Sequence, residues 1–274
     1  MVSTIDPQLS HPPRRRHKQQ GWLVPTIFVI ALVLFFTPWL AAAVFGFNRP
    51  GEGFTFAPLF SAFENPRAWP ALRDTLLLCV ASTLGMLVLL VPTIVFLNLK
   101  APQLAKVAEM LSVLPIVIPA VALVSGVSEF YRAVAPGFLT SLWSLVPLYI
   151  VTAMPLCYRA IDAGVKALNL RTLFSASASL GASQWSTLFR VILPNLKVSM
   201  LSASLLCIAM TLAEFAMASL LLHYTFPVFI VEISRTNPRG IAALSFITIL
   251  VTWALLSVIS AVSRAGKAQK GTAQ

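Results

Sequence analysis

The sequence has few charged residues and few of the side chains that carry enzymatic chemistry. Only 11% of its 274 residues are charged, and it has three histidines. The motifs GxxxxGK[ST], HExxH and GxSxG are all missing, and the one Gly-Lys pair, Gly266-Lys267, is followed by Ala268. These absences argue against a nucleotide hydrolase, a zinc protease and a serine hydrolase. We therefore predict no catalytic residue, no metal site and no cofactor, and we do not expect an enzyme.

Cysteine is equally scarce. Cys79, Cys157 and Cys207 each lie in an apolar segment, without a CxxC partner or a nearby histidine. Metal sites and disulfides usually show such spacings. We expect these three side chains to act as small packing residues.

Long apolar runs are abundant. The chain is 58% hydrophobic with a mean hydropathy of +0.84, which is outside the usual range of soluble domains. A helix crosses the hydrocarbon core with about 20 apolar residues, and six segments qualify. We predict an all-α polytopic membrane protein with six transmembrane helices. The predicted spans are 22–46, 73–98, 107–130, 138–158, 198–222 and 241–263.

The first span follows a basic run, Arg14 to Lys18, within a polar start (1–20) that we expect to be disordered. Its apolar stretch exceeds the roughly 7–15 residues of a signal peptide. We interpret it as a retained helix, with cleavage after the small residues 41–43 as the alternative.

The basic residues indicate the orientation. Six of the 20 fall on the side opposite the termini: Arg49, Arg67, Arg73, Arg132, Arg235 and Arg239. The other 14 fall on the side of the termini, and basic residues concentrate in cytoplasmic loops. We predict a multi-pass cell (inner) membrane protein with both termini, the tail 264–274 and the loop 159–197 in the cytoplasm. This asymmetry accounts for the net charge of +11, so we expect contact with membrane lipid and no nucleic-acid partner.

The loop 159–197 contains the stretch SASASLGASQWSTLFRVILP, residues 175–194. Gly181 is placed to end a first helix, because glycine reaches left-handed backbone angles without a Cβ clash. Ser183 is placed to cap a second helix. Pro194 disfavours helical angles at Leu193 and is expected to end that helix. The second helix has apolar residues at i, i+3, i+4 and i+7, namely Trp185, Leu188, Phe189 and Ile192.

Gly181 is followed ten residues later by Val191 and then by Leu193 and Pro194. This spacing resembles the cytoplasmic Glu-Ala-Ala loop of ABC-importer permease subunits. The three positions of the Glu-Ala-Ala sequence are Ser175, Ala176 and Ser177, of which only the alanine matches. The resemblance covers roughly residues 72–260.

The resemblance implies a binding-protein-dependent importer subunit, closest to the permease group for polyamines, phosphonates and ferric iron. It implies a core of five helices of the type I permease fold plus one N-terminal helix. The implied partners are a cytoplasmic ABC ATPase dimer, a second permease subunit, identical or sister, and an extracytoplasmic solute-binding protein. Residues 175–194 would be the coupling helix on which the ATPase docks, with an apolar docking face and Arg190 at its rim. The coupling residues are Ser175, Ala176, Ser177, Gly181, Ala182, Trp185, Leu188, Phe189, Arg190, Ile192 and Pro194. Without the glutamate, one ionic contact with the ATPase is expected to be missing.

Glu214 is the one charged residue that lies away from the ends of a predicted span. Intramembrane carboxylates usually face a bundle interior or an aqueous cavity, so Glu214 and the adjacent Phe215 are candidates for the translocation path. Pro115 and Pro119 remove helical hydrogen bonds and predict a bend in the third span, and the permease family has similar prolines there. A structural hydrogen bond at Glu214 and a bend that merely shapes the bundle are the alternatives.

A different class of protein also fits part of the pattern. An ATP-independent secondary transporter or channel would place Glu214 in its path. Such carriers generally use several intramembrane polar groups and often an inverted repeat, and this sequence shows neither. A membrane scaffold would leave the two-helix loop and the proline-bearing third span unexplained.

Overall fold

The computed structural model describes residues 23–271, so the predicted disordered start 1–20 and the last three residues lie outside the described part. It is almost entirely helical. The helices are α1 (Leu23–Phe47), α2 (Ala57–Phe63), α3 (Ala68–Lys100), α4 (Pro102–Ser112), α5 (Leu114–Val117), α6 (Ala120–Val134), α7 (Pro136–Leu139), α8 (Leu145–Lys166), α9 (Leu170–Ser179), α10 (Gln184–Thr187), α11 (Leu193–Ala213), α12 (Ala216–Leu220), α13 (Phe226–Ile233) and α14 (Pro238–Gly271). Two short strands, β1 (Asn48–Arg49) and β2 (Gly53–Phe54), pair antiparallel after α1.

Four helical stretches in the described chain are long and apolar enough to cross a membrane: Pro25–Phe47, Ala68–Lys100, Leu142–Lys166 and Gln184–Ala213. A fifth candidate is the helix pair Pro102–Val117 and Ala120–Val134, bent by 102° at a short break, which forms either a broken span or a re-entrant loop. The predicted sixth segment lies in α14, whose described apolar part is Pro238–Ala254. These lengths and compositions confirm an all-α polytopic membrane protein.

The centre of the bundle is formed by α3, α8 and α11, which pack together along their lengths. Their buried faces are mostly apolar, with a few buried polar residues such as Thr83, Asp162 and Thr211. The main core cluster includes Met86, Ile94, Val95, Ala153, Cys157, Tyr158, Ile161, Leu188, Ile192, Leu196, Ala203 and Cys207. All three cysteines are buried and free.

The break in the third span lies at Pro119. Ile118 has extended backbone angles (φ −79°, ψ 122°), as expected for a residue before proline, and α6 begins directly afterwards. The predicted bend is therefore confirmed, and its role in a path stays a prediction.

Pro194 does not end its helix, so that prediction is wrong. Leu193 is helical (φ −55°, ψ −46°), and a five-residue π-helical turn, Leu188–Ile192, joins α10 to α11. The wider turn lets the Leu193 N–H bond to the Leu188 carbonyl. A π turn changes the hydrogen-bond register, and this one lets the helix pass a residue that has no N–H.

The predicted span 198–222 is interrupted. Helix α11 ends at Ala213, and Glu214 is extended (φ −81°, ψ 107°) before α12 begins at Ala216. Glu214 therefore lies in a gap between two helices and not within one, because its side chain caps the helix that follows, as described below.

Candidate coupling loop and translocation path

The loop after α8 is a compact pair of helices with a glycine between them. Gly181 has φ +78°, the left-handed conformation that glycine adopts without strain. The N–H of Gly181 bonds to the Ala178 carbonyl at 2.9 Å, and the N–H of Ala182 to the Ser177 carbonyl at 3.0 Å. These two bonds form the Schellman motif and confirm that Gly181 ends the first helix.

Both helices of the loop begin with a side-chain cap. The Ser183 hydroxyl accepts the Ser186 N–H at 3.2 Å, and the Asn169 carbonyl oxygen accepts the Thr172 N–H at 3.4 Å. Such caps satisfy backbone donors that the helix leaves free. The predicted cap at Ser183 is confirmed, and the loop has fixed start and end points.

The four apolar residues predicted as one docking face lie on two different faces. Leu188 and Ile192 are 2% and 0% exposed and belong to the central core. Trp185 and Phe189 are 59% and 61% exposed. A partner protein can therefore contact Trp185 and Phe189 but not Leu188 or Ile192, which anchor the loop to the bundle.

The exposed aromatic residues form a small cluster with the end of α3. The rings of Trp185 and Phe189 are stacked with centroids 6.2 Å apart, and Trp185 meets Phe96 edge-on at 5.7 Å. The Lys100 ammonium lies 5.7 Å from the Phe96 ring. Phe96 was not predicted to join this cluster, because nothing local in the sequence relates it to Trp185, 89 residues away.

A cavity of about 240 Å³ lies beside this cluster. Ser175 lines it on α9, and Ala182 and Gln184 line it after the glycine. Ala176 is exposed, Ser177 is buried, and Leu180, at the end of α9, is 88% exposed. Arg190 and Pro194 are exposed, and Arg190 has no ion pair among the described residues. We call the exposed set the candidate coupling surface: Ser175, Ala176, Leu180, Trp185, Phe189 and Arg190.

A polar network ties the helix before the loop to its neighbours. The buried Asp162 carboxylate on α8 accepts the Asn98 amide at 2.9 Å and contacts Lys166 at 2.6 Å. Lys166 also reaches Glu109 on α4 at 3.4 Å. The Tyr158 hydroxyl donates to the Ala105 carbonyl at 3.0 Å. Helices α3, α4 and α8 are thereby linked at the level where the loop begins.

The candidate path residues lie at two helix breaks. The Glu214 carboxylate accepts the Met217 N–H at 2.9 Å and so caps α12. Glu214 is partly exposed, and Phe215 is 37% exposed. Helix α12 packs on α6, which begins directly after the break at Pro119. Pro115 is partly exposed near the start of α5, and the backbone on both sides of it stays helical.

No protein-family model and no curated protein matches this sequence. The structure is similar to a chain of a bacterial ABC transporter involved in the import of the acidic polysaccharide alginate. The TM-score is 0.66 at 16% sequence identity, and the match covers 90% of this chain and 96% of the other. The fold of this chain is therefore one that an ABC transporter also uses.

Proposed function

We propose that this chain is the membrane permease subunit of an ATP-driven ABC importer. The observation that supports it best is the segment 170–192, which contains α9, α10 and the π turn. Its buried residues belong to the same core as α3, α8 and α11, while its tip presents aromatic side chains to the cytoplasmic side of the predicted topology. A force applied at such a tip is carried into the spanning helices, because close-packed cores shift as units.

In this proposal a cytoplasmic ATPase dimer binds the candidate coupling surface, and ATP-driven closure of the dimer tilts the spans between inward-open and outward-open states. Trp185 and Phe189 supply the apolar anchor, as aromatic residues commonly do in interfaces. Arg190 contributes a charge at the rim. Ser175, at the position of the family's glutamate, supplies no carboxylate, so the apolar contacts carry more of the affinity.

The translocation path would run past the two breaks where α6 and α12 begin. Discontinuous helices commonly form solute sites near the membrane midplane. Glu214 and Phe215 lie at one break, with Pro119 at the other, and a carboxylate there favours a small cationic solute. The alginate importer carries an acidic polysaccharide; at 16% identity that substrate does not extend to this chain. A solute-binding protein and a second permease subunit complete the proposed assembly.

The test uses the full-length chain in its own membranes. A photo-reactive amino acid replaces Trp185 or, as a matched control, Trp143, which is 47% exposed on the opposite side of the predicted membrane. We expect a cross-link from position 185 to a subunit that contains a GxxxxGK[ST] sequence, and none from position 143. The same ATPase should be lost on purification of the Trp185→Glu variant and kept with Trp143→Glu.

Two results would overturn the proposal. One is a monodisperse chain that cross-links to no ATPase from position 185 at normal membrane abundance. The other is solute uptake that continues after ATP is depleted, which would favour the carrier centred on Glu214.

A further inference from the structure

Helix α1 packs mainly on α14, along one interface that we call the seam. Most of the side chains of α1 are exposed. At Gly46 the two backbones come so close that an added Cβ would collide with backbone atoms of Ala242 and Ala243. A cavity lies on either side of this approach.

The first cavity lies at the outer end of the seam, the end opposite the coupling loop. It has a volume of about 550 Å³ and lies between the end of α1, helix α2 and the start of α14. Ser61 and Asn237 form part of its wall and are held by a hydrogen bond of 3.0 Å between them. The Gly240 N–H donates to the Asn237 carbonyl oxygen at 2.9 Å, which fixes that side chain.

This outer cavity holds one positive and one negative group that are not paired. Arg239 and Glu64 both line it, yet neither forms an ion pair with any described residue. The Arg239 guanidinium lies 5.6 Å from the Phe45 ring. A second arginine, Arg49, lines the same cavity and is paired with Glu52 at 3.2 Å. The cavity thus offers separate places for an anion and a cation.

The second cavity lies deeper in the same seam. It measures about 430 Å³ and is lined by apolar side chains, among them Trp39 on α1 and Phe246, Leu250 and Trp253 on α14. Along α1, Trp39 is six residues from Phe45, or about 9 Å at the helical rise. When the apolar cavity lies within the hydrocarbon core, the charged cavity therefore lies at the depth of the lipid headgroups.

We propose that this seam binds a phosphatidylethanolamine molecule from the adjacent leaflet. Its phosphate would bind Arg239, whose guanidinium matches phosphate geometry. Its primary ammonium would donate hydrogen bonds to Glu64, and an acyl chain would fill the apolar cavity. Phosphatidylglycerol has no ammonium, and the quaternary ammonium of phosphatidylcholine has no N–H to donate. The two unpaired charges therefore favour ethanolamine over glycerol and choline headgroups.

The test is a lipid titration of the delipidated full-length chain in mild detergent, read by native mass spectrometry. Phosphatidylethanolamine, phosphatidylcholine and phosphatidylglycerol with identical acyl chains are the probes. We expect one site that prefers ethanolamine over choline by about tenfold, the size of one charge-assisted hydrogen bond. Glu64→Gln should abolish that preference, and Arg239→Gln should weaken the binding of all three lipids about tenfold. Arg235→Gln, an exposed arginine outside the cavity, is the control and should change nothing.

The acyl chain is tested separately with phosphatidylethanolamine brominated along its chains. Bromine quenches nearby tryptophan fluorescence, so binding should quench the wild type and should quench much less when Trp39 and Trp253 are replaced by leucine. Equal affinity for ethanolamine and choline, or equal effects of Arg239→Gln and Arg235→Gln, would overturn the proposal. So would unchanged lipid binding combined with loss of a solute-binding protein in the Glu64→Gln and Arg239→Gln variants, since the cavity would then belong to a protein interface.

Discussion

Asp162 on α8 accepts a hydrogen bond from the Asn98 amide on α3 at 2.9 Å, across 64 residues of sequence. The carboxylate is buried, and its second oxygen contacts Lys166. This pair holds two central helices together one turn before the coupling loop starts. A movement of the loop must therefore either carry both helices with it or break the bond.

Replacing Asp162 with alanine should destabilise the protein by about 1–3 kcal/mol, because the Asn98 amide loses its charged acceptor. Lys166→Gln is the comparison: it leaves the hydrogen bond between Asn98 and Asp162 in place, and the Lys166 side chain is 55% exposed, so we expect a smaller loss. Thermal unfolding of both variants in detergent measures the difference. Equal losses would mean that the ion pair between Lys166 and Asp162, and not the hydrogen bond between Asn98 and Asp162, holds the helices together.

Gly181→Ala should loosen the coupling loop without any steric clash. A Cβ at Gly181 meets nothing within 4 Å, so the cost comes from its φ of +78° alone, about 1–2 kcal/mol for a non-glycine residue. Gly126→Ala is the matched control, because Gly126 is equally open but has ordinary helical angles within α6. Hydrogen exchange should accelerate over residues 170–192 in the first variant only.

Leu188→Ala and Phe189→Ala should separate anchoring from docking. Leu188 is in the core, and its truncation should cost about 2–5 kcal/mol of stability. Phe189 is exposed, so its truncation should leave the unfolding temperature nearly unchanged while weakening ATPase binding. Stability and ATPase recovery are measured on the same preparations. The opposite pattern would contradict the assignment of the two faces.

The sequence was sufficient for features that depend on neighbouring residues. Apolar runs predicted the membrane fold. The left-handed conformation open to glycine predicted the helix end at Gly181, and the capping hydroxyl of serine predicted the helix start at Ser183. It was insufficient where a segment far away in the sequence determines which residues are buried. A stripe of period 3.6 cannot show that Leu188 joins the central core cluster while Phe189 stays exposed.

Proline and acid positions were misjudged for a related reason. Pro194 was expected to stop a helix, but a π turn rearranges the hydrogen bonds before it, an option that residue preferences alone do not include. Glu214 was expected inside a helix, whereas its carboxylate caps a new one. The contact between Asn98 and Asp162 has no local signal apart from one amide near the end of an apolar run.

Gly46→Val should displace α1 from α14. The added side chain would collide with the backbone of Ala243, which cannot rotate away. Gly85→Ala is a milder control, because its Cβ would meet only the end of the Ile150 side chain. Proteolysis of intact membranes should cleave α1 or its flanking loop faster in the first variant. Unchanged protection would show that the seam is not held by this approach.

The stability of the protein should fall on mild acidification through His223. This residue follows α12, beyond the spanning helices, and its Nε2 lies 3.1 Å from the Ser144 hydroxyl. Burial lowers the pKa of His223 below its ordinary value of 6.5, although a bond to the Leu139 carbonyl opposes the shift. The folded protein therefore binds fewer protons than the unfolded chain just below pH 6.5, so the contribution of His223 is full above that pH. It is lost as the pH falls from 6.5 through the lower pKa of the folded state.

Unfolding temperatures measured at intervals from pH 7.5 to 5 should fall more steeply for the wild type than for His223→Gln, which cannot gain a proton. Parallel curves for the two proteins would show that His223 does not carry this pH dependence.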